Sequence, residues 1–291
     1  MSVSIELLDD YHKNTQFTII VGESILLKFV PNTQARAKMR DVINISDLPK
    51  SVELSYIKDI VKLSKELKGI LGSYVKTWQI NNLLKDTELQ KYKEQMTGVS
   101  TKIADIERNI GISICDSHHL SFCINCKAYI GETDNLTTKC SGCNNALNDS
   151  GNLVVSYLDG LTNSYLEGGF WFEDYIERIL TNMQWKVWTH GSVMGNSGIM
   201  HPVDFIAVKN SRVLIGECKT GSVDTRDISH FLVQKLDIPS HFGLFLSLQP
   251  CSAKSTASFF NVSTSKLVDD IGNKTDKELL EQINNHMEKF S

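Results

Sequence analysis

Two stretches of this 291-residue chain gather chemistry-bearing residues at close spacing. In the first, HPVDFIAVKNSRVLIGECKTGS, Asp204 is followed thirteen positions later by Glu217, and Lys219 stands two beyond. The runs VDFIAV and RVLIGECK are β-rich and flank the turn-forming Lys209, Asn210 and Ser211, which predicts an antiparallel hairpin. Folding back at that turn brings Asp204 and Glu217 to neighbouring positions at one end of the strand pair. Residues two apart on a strand share a face, so Glu217 and Lys219 address one site while Cys218 turns toward the apolar interior. Adjacent carboxylates repel unless a cation lies between them, and hard oxygen donors select Mg²⁺ or Mn²⁺ over zinc. A metal held by Asp204 and Glu217, with Lys219 beside it, could lower the pKa of an attacking water and neutralise charge growing on a phosphodiester. The plain alternative is a Glu217–Lys219 salt bridge in an ordinary hairpin.

The second stretch, FCINCKAYIGETDNLTTKCSGC, holds Cys123 and Cys126 as one C-x₂-C pair and Cys140 and Cys143 as another, thirteen residues apart. Tetrahedral zinc needs four converging thiolates, and two tight knuckles joined by a short hairpin supply them. With all four positions filled by sulfur, the ion would be structural. These two dozen residues resemble a zinc ribbon. Lys127 and Lys139 flank the knuckles, and Gly142 is expected to supply a left-handed backbone within the second. His118 and His119 read as linker residues because the cysteine set is complete. The remaining cysteines, Cys115, Cys218 and Cys251, read as buried thiols in a reducing compartment.

The elements that position these residues follow from apolar periodicity. FTIIV and SILLKFV, around Val21, Gly22 and Glu23, predict a hairpin within an N-terminal β-containing segment, residues 1–50. From Val52, apolar positions including Ile57, Val61, Leu67, Leu71, Tyr74 and Trp78 predict a long amphipathic helix. After a polar break at Lys85 to Thr87, Leu89, Tyr92, Met96, Val99, Ile103, Ile106 and Ile110 alternate steps of three and four, a coiled-coil seam. The seam predicts a homodimer or higher homo-oligomer, with a helical hairpin inside one chain as the alternative. Residues 51–110 are thus the helical coiled-coil segment, 111–150 the zinc ribbon and 151–291 the domain carrying the carboxylates. His190 and His201 bracket the glycine-rich loop GSVMGNSGIM, either a substrate contact or a simple strand connection. Trp171, Trp185 and Trp188 fall at core spacing, and TDKELLEQINNHMEKF predicts a closing amphipathic helix.

Residues 164–249 resemble the PD-(D/E)XK nuclease superfamily, which includes restriction endonucleases, Mrr-like enzymes and Holliday junction resolvases. GGFWFEDYIERILTNMQWKVW is similar to the family's first helix and strand, DTRDISHFLVQKL to the helix after the active-site strands, and HFGLFLSL to the next core strand. The resemblance implies a restriction endonuclease-like α/β core, a mixed central sheet flanked by helices. It implies that Asp204, Glu217 and the Cys218 backbone carbonyl bind Mg²⁺ or Mn²⁺, that Lys219 orients or helps deprotonate water, and that Glu173 assists metal binding. Gln234 stands where some members place a polar active-site residue. The residue before Asp204 is Val203, and Pro202 lies one position earlier, a departure from the motif.

Composition sets the outer bounds. At 41% hydrophobic residues the chain can bury a large core, and a formal charge of −4 gives no global attraction to nucleic acid or anionic membrane. Residues 1–110, 111–150 and 151–291 carry +2, −2 and −4. No run approaches a membrane span, and MSVSIELLDD is acidic where a signal peptide is basic and then apolar, so no membrane partner and a cytoplasmic location are expected. The reading as a whole is a metal-dependent endonuclease with structural zinc, acting on nucleic acid, expected to be DNA, in antiviral defence or DNA processing. The alternative is a catalytically inactive nucleic-acid-binding or assembly subunit that works through the ribbon and coiled coil.

Overall fold

The structure, a computed structural model, describes residues 4–7, 17–21, 25–31, 54–81, 84–111, 113–132, 139–145, 150–252 and 264–288. In chain order the elements are strands β1 (Ser4–Leu7), β2 (Phe17–Val21) and β3 (Ile25–Pro31), helices α1 (Leu54–Asn81) and α2 (Asp86–Ile110), and strands β4 (Asp116–Cys123), β5 (Tyr129–Glu132) and β6 (Ser150–Tyr157). Then come helices α3 (Gly160–Glu167) and α4 (Phe170–Asn182), strands β7 (Lys186–Met194), β8 (Met200–Lys209) and β9 (Arg212–Lys219), helix α5 (Thr225–Asp237), strands β10 (Phe242–Ser247) and β11 (Ser265–Val268), and helix α6 (Asp276–Glu288). The chain divides into two compact units, residues 1–54 with 164–291, and residues 55–163.

The first unit is an α/β assembly on one eight-stranded mixed sheet of order β1-β2-β3-β7-β8-β9-β10-β11. Pairing is antiparallel from β1 to β9 and parallel across β9, β10 and β11. Residues 205–208 and 213–216 are buried without alternation, the pattern of strands covered on both faces. Helix α4 lies against β7 and α5 against β9 and β10. The core under α5 joins Ile228, Phe231 and Ile238 to Ile206, Val208, Val213, Ile215 and Phe245, and extends to Val193, Val203, Phe29, Leu27 and Ile19. Simple alternation would send Val203 and Ile206 to opposite faces, yet both enter this core. The reason is a skip in the ladder: β7 and β8 pair at Thr189↔Phe205 and at Gly191↔Val203, but His190, between them, has a left-handed φ of 53°. Register survives on both sides while the facing changes.

The N-terminal strands do not form a separate segment, contrary to the boundary expected near residue 50. β3 pairs with β7 through Phe29↔Val193, Val30↔Ser192 and Pro31↔Gly191, so β1–β3 extend the sheet that bears the carboxylates. Gly191 permits this approach, since a Cβ there would fall 2.1 Å from the Phe29 ring. The turn read around Gly22 and Glu23 lies outside the described residues.

In the second unit α2 lies against β6, and the sheet order is β5-β4-β6. The ribbon segment runs past the expected boundary at Ser150, because β6 pairs with the whole of β4 from Cys123↔Ser150 to Asp116↔Tyr157. The α2 seam is covered by its own chain: Leu89, Met96, Val99 and Ile103 are buried, and Tyr92 meets Tyr74 of α1 edge to face at 5.3 Å. The seam is thus covered within this chain, through Tyr74 of α1 and the packing of α2 on β6, in line with the one-chain alternative.

Gly216 stands opposite Phe205, and a Cβ there would lie 1.8 Å from the Phe205 ring. Gly216→Ala should therefore destabilise the protein by about 1–3 kcal/mol through overpacking. Urea unfolding checks this, and Phe205→Leu in the same chain should recover part of the loss.

Candidate functional site

The β8–β9 ladder begins at a two-residue turn whose Asn210 and Ser211 have φ of 48° and 61°, and runs from Lys209↔Arg212 to Phe205↔Gly216. Continued one step further, that register would set Asp204 opposite Glu217, and Asp204 Oδ2 accepts the Cys218 N–H at 2.7 Å. Lys219 Nζ donates to Glu217 Oε1 at 2.7 Å and lies 3.9 Å from Asp227 Oδ1 in the first turn of α5. Lys219, Asp227 and Glu217 side chains are 35%, 32% and 16% exposed, so solvent reaches this end of the strand pair.

Glu173 enters from the first turn of α4 and is buried. Its carboxylate meets Nδ1 of His190, whose Nε2 lies 3.2 Å from Asp174 Oδ1. Tyr165 donates to Asp174 Oδ2 at 2.6 Å. The left-handed backbone at His190 thus coincides with a ring that ties two adjacent helix carboxylates to the sheet.

Burial, followed by the charges of Glu173 and Glu217, pushes the Asp204 carboxyl well above its ordinary value of 3.8, against the opposing Cys218 N–H and Lys219. Glu173 is raised by burial and by Asp174 and Glu217, although His190 pulls the other way. Lys219 would be lowered by burial, but Glu217, Asp204 and Asp227 outweigh this and raise it. Cys218 is raised well above 9.0 by burial and then by Asp204, Glu173 and Glu217. The set is therefore short of positive charge and oxygen-rich, which suits a hard divalent cation. Its donor atoms are not gathered into a tight cage: among the described residues, the four cysteines form the group of three or more ligand atoms lying within 4.8 Å of one another.

That cysteine cluster is the better-formed metal site. Cys123 and Cys143 sulfurs lie 3.7 Å apart and those of Cys126 and Cys140 3.5 Å apart, close to the edge of about 3.8 Å of a tetrahedron with 2.3 Å Zn–S bonds. The two knuckles are built alike. Lys127 N–H donates to Cys123 O at 2.9 Å and Asn144 N–H to Cys140 O at 2.8 Å, and both donors are left-handed, with φ of 63° and 61°. Gly142 is not among the left-handed residues, which corrects that expectation. Its requirement is steric, since a Cβ would lie 2.7 Å from the Trp78 ring and 3.1 Å from Cys126 Sγ. Trp78 also donates its indole N–H to Cys126 O at 2.7 Å. Burial and neighbouring sulfurs push the Cys126 thiol up to about 12, whereas backbone N–H groups of Cys126 and Asn125 bring Cys123 down to about 7 despite burial. Four crowded sulfurs cannot all ionise without a cation. Residues 133–138, part of the expected intervening hairpin, lie outside the described residues.

Other candidates fall elsewhere. His201 Nε2 lies 2.6 Å from Asp237 Oδ2, and Asp237 also accepts Ser197 N–H at 2.8 Å and Ser197 Oγ–H at 2.5 Å, so this histidine anchors the glycine-rich loop. Gln234 donates its amide to Pro202 O at 3.1 Å. His118 stacks on Tyr157 at 3.7 Å and lies 3.2 Å from Glu132, apart from the cysteines' ligand set. Trp171 and Trp185 are buried and Trp188 packs against the α5 core. Asp227, Asp174 and Tyr165 escaped the sequence reading. Asp227 has a local signal, the capping-box run Asp224–Asp227 at the start of α5.

No family model and no curated relative matches the sequence. Among solved structures, the chain is similar to the protein of unknown function AF1548 (TM-score 0.33, 14% identity, 40% of this chain and 66% of that one). It is also similar to protein VC1899 from Vibrio cholerae (0.45, 10%, 94% and 67%) and to Can2 from Sulfobacillus thermosulfidooxidans in complex with cyclic tetra-adenylate (0.37, 15%, 46% and 41%). The chain spans about two thirds of the first two and about two fifths of the third. At these TM-scores the likeness carries no assignment of activity. Among the described residues no helix is long and apolar enough to cross a membrane.

Two outcomes follow. Asp204 and Glu173 have raised folded-state values, so the stability they allow is fully present below their ordinary values of 3.8 and 4.5 and is lost as pH rises through the raised ones. In metal-free protein, Asp204→Asn should flatten the decline in melting temperature from pH 5 to pH 8, as should Mg²⁺ added to the parent. Metal analysis after purification without chelator should give about one zinc per chain. Cys126→Ser and Cys140→Ser should each abolish it and lower the melting temperature.

Proposed function

We propose that this protein is a metal-dependent nuclease of the PD-(D/E)XK type, acting on nucleic acid, with DNA as the expected substrate. The observation that carries the reading is the end of the β8–β9 pair, where the register, continued one step past Phe205↔Gly216, brings Asp204 to Glu217, where the Cys218 N–H bonds Asp204, and where Lys219 bonds Glu217. The order α4, β7, β8, β9, α5, β10, with β10 parallel to β9, supports it, being the order of helix, strands, helix and strand that the superfamily resemblance implies.

Asp204, Glu217 and the Cys218 carbonyl would hold Mg²⁺ or Mn²⁺, with Glu173 assisting. When bound, the cation would lower the pKa of an attacking water and offset charge on the reacting phosphate. Lys219 holds Glu217 in place and presents an ammonium group that can orient the water or stabilise phosphate oxygens. His190 fixes Glu173 and buffers its charge. Asp227 keeps Lys219 protonated and aimed along the strand end. The four cysteines would hold a structural zinc, closed to substrate because sulfur fills every ligand position. A role in defence or nucleic-acid processing inside the cytoplasm accords with this chemistry. Its competitor is a catalytically inactive binding or assembly subunit, favoured by the open spacing of the carboxylates.

Incubation with supercoiled plasmid, single-stranded DNA or RNA in Mg²⁺ or Mn²⁺ separates the two. Cleavage should require metal and fall at least about a hundredfold in Asp204→Ala and Lys219→Ala, with Glu173→Gln weaker than the parent. Equal cleavage by all variants, or none by the parent with either metal, would refute the assignment.

A further inference from the structure

At the opposite end of the β8–β9 pair from the carboxylates, five residue steps or roughly 17 Å along the strands, lies a second cavity of about 340 Å³. It is lined by Trp185, Lys209, Asn210, Arg212, Phe242, Asn284 and Met287. Its volume falls within the usual range for small-ligand sites. Lys209 and Arg212 bracket the Asn210–Ser211 turn, whose paired left-handed residues fix where the two cations project. Neither cation has a carboxylate partner among the described residues. Lys209 Nζ donates to the Met183 carbonyl at 2.7 Å, and the Arg212 guanidinium lies over the Phe242 ring at 5.8 Å. Both cations thus stand at the pocket without a counter-charge among the described residues, and a guanidinium over a ring keeps N–H donors available for a phosphate.

We propose that this pocket binds a nucleoside phosphate, Arg212 and Lys209 taking the phosphate while Asn284, Met287 and the Trp185 edge receive the base. The proposal stands apart from the nuclease reading. The same chemistry has two sources, a free nucleotide or the 5′-phosphorylated end of an oligonucleotide.

Full-length protein titrated by calorimetry with AMP, GMP, CMP and UMP, with adenosine, with inorganic phosphate, and with a short oligonucleotide bearing either a 5′ phosphate or a 5′ hydroxyl, all in EDTA-free buffer lacking divalent cations, tests it. Saturable binding of at least one monophosphate is expected, about tenfold or more weaker for adenosine, for phosphate and for Arg212→Gln or Lys209→Gln. Asn284 is exposed, so Asn284→Trp should fold normally and block the pocket. Tighter binding of the 5′-phosphorylated oligonucleotide than of any monophosphate, lost in Arg212→Gln, assigns the nucleic-acid end; the reverse assigns a free nucleotide. Absence of saturable binding by every phosphate ligand, binding unchanged in Asn284→Trp and Arg212→Gln, or equal affinity for phosphate alone overturns it. Because no Mg²⁺ or Mn²⁺ is supplied, these outcomes do not depend on whether Asp204 and Glu217 support cleavage.

Discussion

Everything at the candidate active site depends on the register between β8 and β9. Side chains alternate along each strand, so a one-residue slip would carry Asp204 away from Glu217 and bury the wrong set of residues. The two-residue turn at Asn210 and Ser211 fixes one end of the ladder, and the Phe205 ring over Gly216 fixes the other. Between them, three apolar residues on each strand are buried, so the register is enforced by the core rather than by the charged groups. The acidic cluster is thus held together against its own repulsion by hydrophobic packing that it does not share in.

The arrangement around Asp204 extends this logic. Helix α4 contributes Glu173 and Asp174, β7 contributes His190, and α5 contributes Asp227, so three elements besides the hairpin's own strands meet here; each is held by its packing in or on the sheet. The ladder skip at His190 turns the far half of the β7–β8 hairpin toward α5, where Asp237 pins its glycine-rich tip. The same strand position delivers a histidine to two carboxylates.

Local patterns made much of this legible. The turn residues 209–211 announced the hairpin, the period of α2 announced its buried stripe, and the C-x₂-C spacing announced the sulfur cluster. What stayed hidden is non-local or conformational. Nothing in FTIIV or SILLKFV says which distant strand will accept their edge, and nothing in the α2 seam distinguishes a partner in the same chain from one in another. A left-handed φ at His190, Lys127 or Asn144 has no dependable one-residue signature, whereas Gly142 carried a signature for the wrong reason, its small size serving Trp78 rather than a turn.

The pairing of β3 with β7 has a consequence for synthesis. The strand ending at Pro31 must wait for roughly 155 further residues before Lys186–Met194 exists to receive it, about 8–30 s at ordinary elongation rates of 5–20 residues per second. During that interval the inserted second unit, continuous in residues 55–163, can fold on the ribosome while the earlier hairpin keeps an unpaired edge. The large sheet is therefore completed late, and its open β3 edge is the nascent chain's exposure to misassociation.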